Sequence, residues 1–143
     1  MQDKSKRDCL AKAKNIAILG ISQDSTKASH QVGEYLIAQD FNIIPIHPKA
    51  TEILGKKVYS SLQDAFSDTV IKECGGIDIL NVFRKSEALL GIANEVIALK
   101  NKPKCVWVQL GLENQEAKRL LEEYGILYFE NLCIKIEHQR LFG

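Results

Sequence analysis

An α/β sandwich of three layers, built on a mostly parallel five-stranded sheet, is what the sequence predicts, and three observations predict it. Apolar runs of strand length fall at 16–19, 42–46, 77–82, 105–110 and 126–129. Segments of helical period separate most of them. The runs carry too little polar alternation for a sheet with one wet face, which implies helices on both faces and strands that run parallel. With 143 residues the chain has the length of one domain with one core, so 1–143 is read as a single unit with 1–14 as a leading helix or extension.

The elements follow in order. Cys9, Leu10, Ala11 and Ala13 lie among lysines and predict a short helix from Met1 to Lys14. After the first strand, Val32, Tyr35, Leu36 and Ala38 form a helical stripe; Leu89, Leu90, Ala93, Val96 and Ile97 form a second, and Ala117, Leu120, Leu121 and Tyr124 a third. Gly125 stands where a helix C-cap glycine belongs. The stretch 51–70 is less regular: Gly55 suggests a turn, and Ser61 can cap a short helix through Leu62, Ala65 and Phe66. Trp107 and Cys105 fall within a strand pattern and are expected in the core.

Composition narrows the function. Hydrophobic residues at 45% and charged residues at 26% match a folded globular protein. A net charge of +1 argues against a broad nucleic-acid or membrane footprint, which carries a basic excess. No apolar run reaches the roughly 18 residues that span a bilayer, and the first residues are charged without the apolar core of a signal peptide; the cytoplasm is the expected compartment. Cys9, Cys74, Cys105 and Cys133 form no C-x-x-C pair and are expected as reduced thiols. His30, His47 and His138 show no metal-ligand spacing among themselves or with the cysteines.

In an open parallel sheet the ligand crevice lies beyond the strands' carboxyl ends, where strand order reverses. The turn after the first strand, Gly20-Ile21-Ser22, lacks the glycines of G-x-G-x-x-G. It offers instead the hydroxyls of Ser22, Ser25, Thr26 and Ser29, the cation of Lys27 and the N–H groups of the helix that follows, a cradle for an anion. Ser29 is equally placed to be that helix's N-cap, and the two roles are compatible. After the second strand come His47-Pro48-Lys49. An NAD site keeps an acidic residue here for the ribose diol, whereas a cation suits a phosphorylated ribose, as in NADP or coenzyme A; the bland account of Lys49 is a surface lysine after a proline turn. After the third strand, Phe83-Arg84-Lys85 offers a flat wall and two cations. Arg84 follows the strand directly and can grip a pyrophosphate with its fork, or be solvated, while Lys85 is the one expected to point outward. Gln109 at the end of the fourth run either touches ligand or satisfies backbone groups.

These residues, in this order, resemble a known family. Gly20-Ile21-Ser22, Ser29-His30 with Val32, Ile44-Pro45-Ile46-His47-Pro48-Lys49, Val82-Phe83-Arg84-Lys85-Ser86-Glu87, Trp107-Val108-Gln109-Leu110-Gly111 and Cys133-Ile134-Lys135-Ile136-Glu137-His138 resemble the small single-domain CoA-binding proteins, which are similar to the CoA-binding domain of the succinyl-CoA synthetase alpha subunit. The resemblance covers nearly the whole chain from about Asn15. It implies a Rossmann-like domain that holds coenzyme A across its strand ends, with Gly20, Ser22 and Ser29 on the phosphate loop, Pro48 and Lys49 at the adenosine end, and Arg84 with Lys85 facing phosphates; His30 is a further candidate cofactor-binding residue. Two departures stand out: Lys27-Ala28 replaces the family's frequent arginine-proline pair, and His47 its usual asparagine. A lysine cannot fork as an arginine does.

Catalysis finds less support. Cys133 and His138 are five apart, a spacing that brings them together on neither helix nor strand, and a nucleophile needs its base within hydrogen-bond reach. Ile134 and Ile136 beside them are expected to pack. The phosphorylated histidine of the synthetase family lies in another domain. The expectation is therefore a small-molecule binding module that carries, senses or is modified by coenzyme A. The alternative is an enzyme, either a small NADP-dependent oxidoreductase or a CoA-thioester-dependent catalyst.

Overall fold

In the computed structural model, which describes residues 2–143, one strand lies at the centre of every question about the site. This is β1 (Asn15–Leu19), which pairs in parallel with β2 (Asn42–Ile46) on one side and with β5 (Ile79–Val82) on the other. Beyond β5 come β6 (Cys105–Val108) and β7 (Leu127–Phe129), both parallel, for a sheet order β2-β1-β5-β6-β7. A two-residue hairpin, β3 (Glu52–Ile53) with β4 (Lys56–Lys57), stands apart as a second sheet. The chain steps from β1 to β2 in one direction and then back across β1 to β5, so the order reverses between β1 and β5. The expected α/β fold with a parallel, Rossmann-like five-stranded sheet is what forms.

The apolar runs are continuous because both faces are covered. Ala17, Leu19, Leu80 and Val82 turn to one face, where they pack on α3 (Leu62–Ser67), α4 (Thr69–Glu73), α5 (Leu89–Ile97) and α6 (Gln115–Glu123). Ile16, Ile18, Ile79 and Trp107 turn to the other, against α1 (Gln2–Lys12), α2 (Ala28–Ala38) and α7 (Ile134–Phe142). Trp107 is fully buried and its indole N–H donates to the Leu132 carbonyl at 3.1 Å, which satisfies the one polar group that burial would strand. Helix α1 is clamped to α7 by ions: Lys6 Nζ donates to Glu137 Oε1 at 2.8 Å and Arg140 forks onto Asp3. Arg140, first, and Lys6 hold the Glu137 carboxyl below its ordinary range.

Several boundaries differ from the sequence reading. Met1, expected in the leading helix, lies outside the described residues. The fourth strand stops at Val108, and Leu110 is exposed, because the chain turns at Gly111 with φ +88°. Tyr124 is the α6 C-cap and is exposed rather than packed, with Gly125 next at φ +73°, the left-handed position that favours glycine. On α7 only Ile134 of the expected pair is buried; Ile136 is exposed. The hairpin is latched to α2 at Gly33: a Cβ there would meet Leu54 Cδ1 at 2.8 Å and Ile21 Cδ1 at 3.0 Å. Leu54 and Gly55 turn the hairpin with φ +55° and +72°.

Candidate ligand site at the strand carboxyl ends

The site begins with a glycine. Gly20 follows β1 at φ +89°, and a Cβ on it would lie 2.5 Å from the Phe83 carbonyl oxygen and 3.5 Å from Arg84 Cδ. Only a residue without a side chain lets the turn after β1 meet the turn after β5. The ladder continues through this rim: Gly20 N–H donates to Ile46 O, Phe83 N–H to Leu19 O and Gln109 N–H to Val82 O. Four strand ends are thereby held in line at the point where the strand order reverses.

The loop from Gly20 to α2 is shaped by its own polar groups. Ser22 N–H donates to Ser29 Oγ at 2.9 Å, His30 Nδ1 lies 2.8 Å from Ser22 O, and Asp24 N–H donates to Ser22 Oγ. Thr26 binds Asp24 with hydroxyl and amide, which holds that carboxyl below its usual range. Ser29 is buried inside the first turn and is not the N-cap; that position falls to Lys27, whose side chain makes no capping bond. The Ser29 hydroxyl accepts the Ser22 amide from within the helix. Helix α2 therefore starts with no side chain over its first N–H groups, and Lys27 is exposed beside them. Ser25 is exposed, and the Thr26 hydroxyl is spent on Asp24.

Around β2 and β5 the cations separate. Arg84 is half-buried and lines a hollow of about 330 Å³ together with Leu19, Ile46, Pro48, Ser60 and Gly91. Lys49 is exposed and lines a second hollow of about 640 Å³ with Lys57, Tyr59, Asp64 and Asp68. Pro48 and Ser60 border both hollows, so Lys49 and Arg84 flank one shared wall. His47 lines neither hollow: its Nδ1 accepts the amides of Lys49 and Ala50 at 3.1 and 2.9 Å and fixes the turn that carries Lys49. Lys85 is exposed, as expected, and Phe83 packs half-buried against the α2 side of the core.

Among the described residues two side-chain acceptor atoms at this end lack partners. Gln109 Oε1 and Asn81 Oδ1 are buried without a hydrogen bond, although Asn81 Nδ2 reaches Trp107 O at 3.1 Å. Asn81 is fully buried within β5, whereas Gln109 is half-buried just past β6, so only the Gln109 acceptor has spare capacity near the rim. Ser60 and Gly91 are lining residues that sequence reasoning did not single out. Tyr59 gave no signal either: it extends the rim through an isolated parallel bridge to Ile46, and its hydroxyl donates to Asp68 at 2.7 Å. Burial, then Asp68, pushes that hydroxyl up to about 12, and the same bond holds the Asp68 carboxyl low.

The remaining candidates lie elsewhere. His138 is bonded to Tyr35 Oη at 2.6 Å on the α2/α7 side, and burial lowers its pKa. Among the described residues no group of three or more His, Cys, Asp or Glu side chains could hold a metal, and no helix is long and apolar enough to cross a membrane.

A sequence model of the CoA binding domain matches residues 14–139. The chain belongs to that family. As a CoA-binding-domain protein it is 38% identical over 141 residues to an uncharacterized Bacillus subtilis protein, YneT, spanning 96% of this chain and 97% of that one. The fold of this family member is also that of a Thermus thermophilus protein, cell-free ID.343, with a TM-score of 0.86 at 35% identity and coverage of 99% and 100%. A hypothetical protein from Pyrococcus horikoshii OT3 superposes with the same TM-score of 0.86 at 30% identity, over 100% of this chain and 94% of that one.

Proposed function

We propose that the protein binds coenzyme A or an acyl-CoA across the carboxyl ends of β1, β2 and β5, as a carrier, sensor or CoA-modified module in the cytoplasm. The observation that supports this most is the close approach of Gly20 to the Phe83 carbonyl, which brings the loop leading to the uncapped start of α2 against the turn that carries Arg84. A diphosphate is what such a pairing of helix amides with a guanidinium fork suits. In this reading Gly20, Ser22, Lys27 and Ser29 form the phosphate loop, with His30 bracing it through Ser22 O. Arg84 takes the pyrophosphate and Lys85 adds long-range attraction. Pro48 and Phe83 supply apolar wall, His47 holds its turn, and Lys49 meets the ribose phosphate. Gln109 Oε1 accepts from an N–H or O–H of the ligand.

Calorimetry with CoA, dephospho-CoA, NADP and NAD tests the assignment. CoA should bind more tightly than dephospho-CoA by about 1.5–3 kcal/mol, the usual worth of a charge-assisted hydrogen bond, and Lys49→Ala should erase the difference. Equal affinity for the two ligands in the unmodified protein removes Lys49 from the site. Tighter binding of NADP than of CoA would move the reading to an oxidoreductase.

A further inference from the structure

We propose that the protein has a second ligand site, at the amino ends of β5 and β6, which takes a small phosphate monoester with an apolar body. A hollow of about 420 Å³ lies there, at the opposite end of the sheet from Gly20 and Arg84, and Lys72, Lys100, Lys102 and Lys104 wall it. No aspartate or glutamate lines it. The whole chain carries 19 basic and 18 acidic residues, so four cations without a carboxylate in one concavity is a marked local excess. A cleft lined by one sign of charge concentrates counter-ions of the other.

The lysines are available. Among the described residues Lys72 and Lys100 make no ion pair, and Lys102 Nζ is held in place only by donating to the Leu99 carbonyl at 2.8 Å. Lys104 lies 3.4 Å from Asp78 Oδ1, a long contact to a carboxylate whose other oxygen already accepts the amides of Lys14 and Asn15. The floor is apolar: Phe66 and Ile71 are buried beneath the hollow at 5% and 8% exposure. Phe66, Lys72 and Lys100 also line an adjoining hollow of about 390 Å³ between α3 and α5, which Glu95 lines as well; it gives the uncharged body of a ligand room next to its head. Gly75 and Gly76, at φ +103° and +80° with nothing within 4 Å of a built Cβ, leave one wall open to entry. Charge at the rim with apolar surface below selects a doubly negative head on a hydrophobic body, and a phosphate monoester is the simplest such species.

Phenyl phosphate and inorganic phosphate are the probes, titrated into the full chain at low and at high salt, by calorimetry and by amide proton–nitrogen correlation spectra. Phenyl phosphate should bind about fivefold or more tightly than inorganic phosphate because its ring buries apolar area on Phe66 and Ile71. The largest shifts should fall on the amides of Gly75, Gly76 and Asn101, and high salt should weaken binding. Lys72→Ala with Lys100→Ala should cut the affinity about tenfold or more and leave CoA binding unchanged; both side chains are exposed, and an otherwise unaltered spectrum verifies the fold. Unchanged affinity in that double variant overturns the proposal. So do shifts confined to Gly20 and Ser22 with competition by CoA, which would assign the phosphate to the site at the other end. Equal affinity for the two probes rejects the apolar floor and with it the monoester assignment.

Discussion

The two ends of the sheet treat their backbone groups in opposite ways. At the amino ends, side chains close every strand they reach. Asp78 Oδ2 accepts the amides of Lys14 and Asn15, Asn15 Nδ2 donates to the carbonyls of Cys74 and Gly76, and Asn42 Nδ2 donates to Asn15 Oδ1. Asn15 is itself buried, and its carboxamide is fully used. At the carboxyl ends a helix starts uncapped and Gln109 Oε1 has no partner. The amino-end groups named here are satisfied within the chain and contribute stability; at the carboxyl end the first N–H groups of α2 and Gln109 Oε1 are left without side-chain partners, where the proposed coenzyme A site lies. A parallel sheet makes this division natural, since its strands all present the same chemical end to the same rim.

Three substitutions bear on that division, from the largest effect to the smallest. Gly20→Ala should break both properties at once, because the new methyl meets a backbone oxygen at 2.5 Å and the φ of +89° disfavours any side chain; a loss of about 3 kcal/mol or more in urea unfolding is expected, together with loss of CoA binding. A protein as stable as the parent would show that the turns after β1 and β5 can part without cost. Asn15→Ala should affect stability alone. It leaves two carbonyls and an amide unpaired, worth about 2–3 kcal/mol, while the CoA dissociation constant measured well below the melting point stays put. Arg84→Ala should do the reverse: about 1.5–3 kcal/mol of CoA affinity lost, with the unfolding midpoint nearly unmoved because the side chain is only half-buried. An Arg84 variant that melts early and binds normally would make the carboxyl rim a structural element like the other.

The strands were legible because each is buried on both faces, so their apolar runs have no interruptions to obscure them. The helical stripes were legible because each such helix buries one face on the sheet; they failed at ends such as Tyr124, where a cap replaces a turn of helix, and α4 and α7 were not read as helices at all. The hairpin β3–β4 was not legible: two residues per strand are too few to show a period, and its chief contact is with α2, at Gly33. Of the site, Gly20 and Arg84 could be found from their position after strands. The commitment of Ser29 to Ser22, and of His47 to the turn it begins, depends on hydrogen bonds within loops that no spacing rule encodes. Ser60 and Gly91 come to the rim from segments that only the folded chain brings there. The closure at Asn15 and Asp78 spans 63 residues and is invisible in either local stretch.

The notch at Gly33 separates the fortunes of the two hollows that Lys49 and Arg84 line. Leu54 plugs it and so seats the hairpin whose Lys57, with Lys49, walls one hollow, whereas Arg84 stands in the turn just beyond β5, away from that plug. Any bulk added at position 33 would lever the small ribbon away from its supporting helix. Under the proposed reading, discrimination among adenine carriers would drift in descendants of this chain while the hold of Arg84 on a diphosphate stayed constant.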